Sequence, residues 1–430
     1  MFGKRLGILS SQLLRAAAPL VVAMWLSMAV AQAQTFTVLH SFSGGGDGAN
    51  PLAGLAIDHA GNLYGTTSIG GVGNGAVFKL ANRNSSWILS PLYQFRGVPD
   101  GFYPQAGVTI AADGTLYGTT FYGGIAGANC DQYGPLQCGT VFHLRPSATA
   151  CTTAICYWTE TQIYEFNTEP SLFWPNFGEV IFDSSGNIYG AANQGGTGAG
   201  GGAYELTNSS GSWTETTLYN FGGGGLQPMG GVIFDSVGDL YGTTYGEPWE
   251  PHSPVAYGTV YELTPSGGQW TEHTLYTFQD GNDGALPRSS LIMDAAGNLY
   301  GTSSVGGSSG FGTAGGGTVW ELSPSDGSWT FTVLYTFPGP GKGPFSPLLM
   351  DTTGNLYGTT LGGGAYQQGS VFKLTPSGGG WTYTTLHDFT GGNDGRSPYG
   401  HLIFDSNGNL YGTAGWGGSD GGGVVWQIAP

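Results

Sequence analysis

Short apolar runs, alternating apolar and polar stretches and Gly/Asn/Asp turns recur along the chain in one fixed order. The clearest marker is a turn followed by a strand: DHAGNLYGTT from Asp58, DGTLYGTT from Asp113, DSSGNIYGAA from Asp183, DSVGDLYGTT from Asp235, DAAGNLYGTS from Asp294, DTTGNLYGTT from Asp351 and DSNGNLYGTA from Asp405. The marker tyrosines, Tyr64, Tyr117, Tyr189, Tyr241, Tyr300, Tyr357 and Tyr411, are spaced by about 58 residues on average. That period suits a unit of four short strands with generous loops. Strand A is a continuous apolar run ending in Asp, such as Val232-Ile233-Phe234-Asp235, and is expected to be buried on both faces. Strand B is the Asn-Leu-Tyr-Gly-Thr-Thr segment. Strand C is Val77 to Leu80, with counterparts starting at 141, 203, 260, 319 and 371. Strand D starts at Trp and alternates with period two to Leu-Tyr-x-Phe, as from Trp213 to Phe221, the mark of a half-exposed outer strand.

The two ends of the repeat region complement each other. Thr35 to Phe42 reads as a strand D without a unit, and Val424 to Ile428 as a strand C without its D. Pairing them completes a seventh sheet and removes two edges that would otherwise invite aggregation. The pattern therefore predicts an all-β fold: a seven-bladed β-propeller of four-stranded blades, closed by pairing the N-terminal strand with the C-terminal blade. A β-solenoid or two separate β-domains are the competing architectures, and the polar caps a solenoid needs are not visible.

The repeated G-N-L-Y-G-T-T, the Gly-rich sequence after it, then G-x-V-F-x-L, W and L-Y-x-F resemble the GloVer (Gloeobacter and Verrucomicrobia) repeat of exported bacterial choice-of-anchor tandem repeat proteins. The resemblance spans residues 35 to 430. It implies export and tandem β-repeats and brings no reaction and no catalytic residues. Members of that family often end in an anchoring tail, whereas this sequence stops at Pro430 after strand C, so surface anchoring is not expected.

Ahead of the repeats, Lys4, Arg5 and Arg15 precede an apolar run from Ala16 to Val30 and the small-residue sequence Ala29-Val30-Ala31-Gln32-Ala33. This is the anatomy of a cleavable secretory leader over residues 1–33, with residues 34–430 as one domain. The run is shorter than the ~20 residues that span a bilayer, so no membrane span is expected after cleavage. Loss of the leader removes three basic and no acidic residues, taking the formal charge from −17 to −20. Such a surface repels nucleic acid and anionic lipid, and no nucleic-acid partner is expected. The expected location is secreted or periplasmic, and the expected state is monomeric. The cysteines Cys130, Cys138, Cys151 and Cys156 suit local disulfides in an exported chain, simplest as 130 with 138 and 151 with 156, although three connectivities exist. Zinc is disfavoured because no C-x-x-C pair occurs and His143 is the one other soft ligand nearby.

In a propeller the D-to-A and B-to-C loops share one face, the natural binding face. Its D-to-A loops carry Asp47, Asp100, Asp283 and Asp394 in Gly-rich turns. These acids could hold calcium or sugar hydroxyls, or simply cap their own turns. The absence of D-x-D-x-D spacing favours capping, and no cofactor is expected. Aromatic candidates for sugar stacking are Tyr122, Trp249, Tyr366 and Trp416 in B-to-C loops and Phe102, Tyr103, Trp174 and Tyr399 in or after D-to-A loops. Packing between loops is the competing reading. The strand D tryptophans are expected to pack blades together. The seven histidines are scattered over repeat positions, and no metal or triad spacing emerges. The leading expectation is a non-catalytic binding or scaffold module for polysaccharide or a cell-surface protein. A glycan- or lactone-active enzyme using channel-mouth carboxylates and a purely structural surface protein are the alternatives. Paired carboxylates in a cleft would favour the enzyme, and an aromatic shelf without them the binder.

Overall fold

The computed structural model describes residues 34–83, 86–124, 138–147, 157–167, 171–175, 177–222, 226–246, 257–279, 281–307, 315–339, 341 and 343–430. Its strands form seven antiparallel sheets arranged as the blades of a β-propeller. Blades 1 to 7 are numbered by the tyrosines above. Blade 4 is typical, running from Ile233–Phe234 (A) through Leu240–Thr244 (B) and Thr259–Ser266 (C) to Gln269–Thr277 (D). In blade 7 the order is Ile403–Phe404, Leu410–Ala414, Val424–Ala429 and then Thr35–Ser41. The Phe42 amide donates to Gly423 O (2.9 Å) and the Gly422 amide to Phe42 O (3.1 Å), continuing the seam beyond the strands. Among the described residues, no helix is long and apolar enough to cross a membrane.

Two features differ from the sequence expectation. Strand A pairs over only two residues per blade, and these are half-buried, because its inner edge faces the axial channel; the fully buried residue is the one before it, as at Val232 and Leu402. Blade 3 also gains a fifth strand, Leu172–Pro175, paired beside strand A along the long strand Ile188–Gly195.

The core lies between blades. One cluster joins Tyr64, Val77, Leu92 and Phe95 of blade 1 to Val108, Leu116, Phe142 and Leu144 of blade 2, with Trp158 packed against it. The same arrangement joins Phe42, Tyr411 and Val425 of blade 7 to Leu55, Leu63, Phe78 and Leu80 of blade 1, with Trp87 outside. The other strand D tryptophans, Trp213, Trp270, Trp329 and Trp381, pack equivalently, as expected of blade-packing residues.

The marker motif is explained by its hydrogen bonds. In blade 7, Asp405 Oδ1 accepts from the Asn407 and Asn409 amides (2.9 Å each), and Oδ2 accepts from Asn409 Nδ2 (2.7 Å) and Tyr411 Oη (3.1 Å). One carboxylate thus fixes the turn, its Asn and the strand B tyrosine, as an Asx turn does. The strand B threonine bonds the next blade: Thr66 Oγ1 donates to Ala106 O (2.8 Å), and Thr413 Oγ1 donates to Ala53 O (2.8 Å) across the closure.

Candidate functional site

Each D-to-A loop ends in proline, three variable residues and an apolar residue that leads into strand A. The loops read Pro51 to Leu55, Pro104 to Val108, Pro228 to Val232, Pro287 to Leu291, Pro344 to Leu348 and Pro398 to Leu402, with one extra residue in Pro175 to Val180. The residue before the proline adopts positive φ in five blades, at Asn50, Tyr103, Trp174, Leu286 and Ser397. Its amide bonds a carbonyl of the preceding blade, as Tyr103 to Asn74 O (3.0 Å) and Ser397 to Gln368 O (2.8 Å). A strained conformation repeated in five blades serves the ring, since inter-blade bonds hold it in place.

The three variable residues line the propeller axis and shape a funnel to which all seven blades contribute. About 50 Å³ of it is open to the centres of water molecules, room for a few waters. The position just before the apolar residue forms the floor: Gly54, Gly107, Glu179, Gly231, Ser290, Pro347 and His401. Glu179 of blade 3 and His401 of blade 7 meet there, His401 Nδ1 lying 3.0 Å from Glu179 Oε1. His401 Nε2 lies 3.1 Å from Leu55 O in blade 1, and the Glu179 carboxylate also accepts from the Gly107 amide of blade 2. About a quarter of each side chain remains exposed, and both line the funnel. Burial opposes ionisation of both groups, but their mutual attraction prevails. The Glu179 carboxyl is held below its usual range and the His401 imidazole above its own. A side chain at either neighbouring glycine would displace the pair, because a Cβ on Gly54 would sit 2.0 Å from His401 Nδ1 and one on Gly107 2.6 Å from Glu179 Oε1.

The position after the proline forms the rim: Leu52, Gln105, Met229, Arg288, Phe345 and Tyr399. In blades 6 and 7 the rim is aromatic, with Phe345 and Tyr399, and in blade 5 Arg288 packs on Phe345 and on the buried Tyr245 of blade 4. The Arg288 guanidinium lies 4.4 Å from the Tyr245 ring centroid and 4.9 Å from that of Phe345, and its Nη2 donates to Tyr245 Oη (2.6 Å). Phe345 meets Tyr399 edge-on at 6.0 Å, and Tyr399 meets Trp416 at 5.6 Å. Burial raises the Tyr399 phenol above its ordinary value, while Arg288 pulls the other way.

Of the residues singled out from the sequence, Tyr399 lines the funnel and Trp416 packs directly behind it. Tyr103, Tyr122 and Trp174 come together at the blade 2–blade 3 boundary with Phe102 and Phe121. There Tyr122 lies 6.2 Å from both Tyr103 and Trp174, and Trp174 Nε1 is buried without a hydrogen-bond partner. Tyr366 is exposed on its loop, outside the funnel lining. Trp249, Cys130, Cys151 and Cys156 lie outside the described residues, and Cys138 is fully buried in the blade 2–blade 3 core.

The four loop aspartates are engaged within their own loops. Asp47 accepts from the Ser43 amide (2.9 Å) and lies 3.2 Å from His40 Nε2; Asp394 accepts from the Thr390 amide (2.8 Å) and lies 3.1 Å from His387 Nε2. Asp100 and Asp283 accept instead from Tyr93 Oη (2.8 Å) and Tyr276 Oη (2.9 Å), so histidine replaces the strand D tyrosine in the same role. Burial opposes ionisation of Asp47 and Asp394, yet these donors hold both carboxyls below their usual range. Among the described residues, no group of three or more His, Cys, Asp or Glu side chains could hold a metal ion.

Sequence reasoning missed Glu179, His401 and Arg288. The available signal was the loop register: once each loop is aligned on its proline, charged side chains stand out at positions that other repeats fill with small or apolar residues.

Fold and site together define a seven-bladed β-propeller with an axial funnel on its loop face. The chain belongs to the Gloeobacter/Verrucomicrobia repeat family, which matches residues 27–157, 128–315 and 312–430. No curated protein matches it. Among solved structures it is similar to a polysaccharide lyase, an ulvan lyase (11% identity, 88% of this chain and 93% of that one, TM-score 0.52). It is also similar to the periplasmic gluconolactonase of Pseudomonas aeruginosa (16% identity, 85% and 99%, TM-score 0.49). At such identities the likeness concerns the fold alone.

Proposed function

We propose that the chain is an exported, non-catalytic binding module that receives a sugar ring of a polysaccharide at the axial funnel. The carrying observation is the pair of rings, Phe345 and Tyr399, that meet edge-on in the funnel lining, with Trp416 packed behind Tyr399. Rings set edge to edge around a small cavity offer apolar faces for a sugar, and the loop carbonyls between them can accept from its hydroxyls. Hydrolysis by a carboxylate pair would need a second carboxylate some 5–10 Å from the first. Among the described residues lining the funnel, Glu179 is the sole carboxylate, and it is bound to His401, both of whose ring nitrogens are engaged. Among the described lining residues that carboxylate pair is therefore not present. Secretion through the leader and the local disulfides belong to the same proposal.

The test is calorimetric titration of the mature protein with soluble glycans and peptidoglycan fragments, repeated on Tyr399→Ala and Trp416→Ala. Loss of about tenfold in affinity in each variant, equivalent to about 1.4 kcal/mol, is the expected result. Binding indifferent to both substitutions, or no binding by any glycan, would remove the reading.

A further inference from the structure

We propose that the ring received by the funnel is an acidic one, carrying a carboxylate or sulfate group that Arg288 binds. This deepens the funnel reading and rests on it. Arg288 occupies the rim position that other repeats fill with Leu52, Gln105, Met229, Phe345 or Tyr399, all uncharged. The guanidinium is half-buried between the Tyr245 and Phe345 rings, and Tyr245 Oη fixes its orientation through Nη2. Its Nε is buried and has no hydrogen-bond partner. Among the described residues no carboxylate pairs with it, although acidic residues outnumber basic ones 28 to 11 in the sequence. A half-buried cation without a counter-ion carries an uncompensated desolvation cost, which a bound anion relieves.

The surroundings favour an anion from the ligand. Among the described residues the one floor carboxylate is already paired with His401. The planar fork of arginine matches the two oxygens of a carboxylate or sulfate, a match that lysine lacks. The space open to water is about 50 Å³, enough for such a group while the sugar ring stays against the aromatic rim. Elsewhere the negative surface repels acidic polymer, with a reach of about 8 Å at physiological ionic strength, which confines binding to this opening.

The experiment titrates the mature protein and Arg288→Gln with galacturonate, glucose 6-sulfate, galactose and glucose, following affinity by calorimetry. At least one acidic sugar is expected to bind about tenfold or more tighter than its neutral parent, and Arg288→Gln to abolish that preference. Galacturonate against glucose 6-sulfate tells carboxylate from sulfate. Equal affinity for acidic and neutral sugars, or a preference untouched by Arg288→Gln, overturns the proposal. Neutral binding still lost in Tyr399→Ala would then leave the funnel reading standing, whereas no binding by any probe removes both. Should Arg288→Gln fold poorly, the acidic-to-neutral ratio of the unaltered protein decides alone, and a ratio near one overturns the proposal.

Discussion

The glycine of each Leu-Tyr-Gly segment is required by the ring that lies on it. A Cβ on Gly301 would sit 2.3 Å from the Trp320 ring, and one on Gly412 2.4 Å from Trp426. Gly301→Ala is therefore expected to destabilise by about 1–3 kcal/mol, read as a lower denaturant midpoint with an unchanged slope. Glu160 is a second residue with a measurable signature. Burial first, and then the nearby Asp100 charge, push its carboxyl up to about 8, and its Oε1 has no hydrogen-bond partner. The folded protein thus keeps a proton that the unfolded chain releases near pH 4.3, so stability falls as pH rises from there to about 8. Glu160→Gln is expected to raise stability at pH 8 by on the order of 1 kcal/mol, read as a higher melting temperature, and to change little at pH 4. At this scale the turn aspartates were legible, because they repeat within a recognisable motif. His401 and Glu179 were not, since 222 residues separate partners that meet only when blades 3 and 7 face each other across the axis.

At the scale of elements, the strand Thr35–Ser41 completes the sheet of blade 7, and Phe42, fully buried, packs against Phe78 at 5.2 Å. Deleting residues 34–42 is expected to lower the melting temperature of the whole domain, because it exposes Val425 and Tyr411 and leaves an unpaired strand edge. Phe42→Ala alone is expected to cost about 3–5 kcal/mol. Unchanged melting in both would show that the seam carries no stability. Four strands per repeat, their order and the closure could all be read from periodicity and turn residues. The extent of strand A could not, because apolar runs report burial and are silent on how many backbone pairs form beside an open channel. The extra strand of blade 3 escaped too. Leu172 to Pro175 is short and ends in proline, which cannot donate to a ladder and reads as loop.

At the scale of the whole molecule, the Glu179–His401 pair connects blade 3 to blade 7 and touches blades 1 and 2 through Gly107 and Leu55. The raised imidazole value means that its contribution is complete below the unfolded histidine value of about 6.5 and is lost as pH rises through the folded one. The lowered carboxyl value means that Glu179 contributes above about 4.3 and loses that contribution as pH falls through its folded value. Between these limits the pair is fully formed. A His401→Gln/Glu179→Gln double variant should approach the unaltered protein in melting temperature at pH 9 and fall behind it near pH 6; a constant difference across that range would assign the pair no charge. The strand seam has a further consequence for how the domain is made. The sheet that closes the circle joins the earliest strand of the domain to the latest, so a ribosome must release the last blade before the first strand finds its neighbour. Until then an aromatic strand waits unpaired, and the circle can lock only after translation of the whole repeat array.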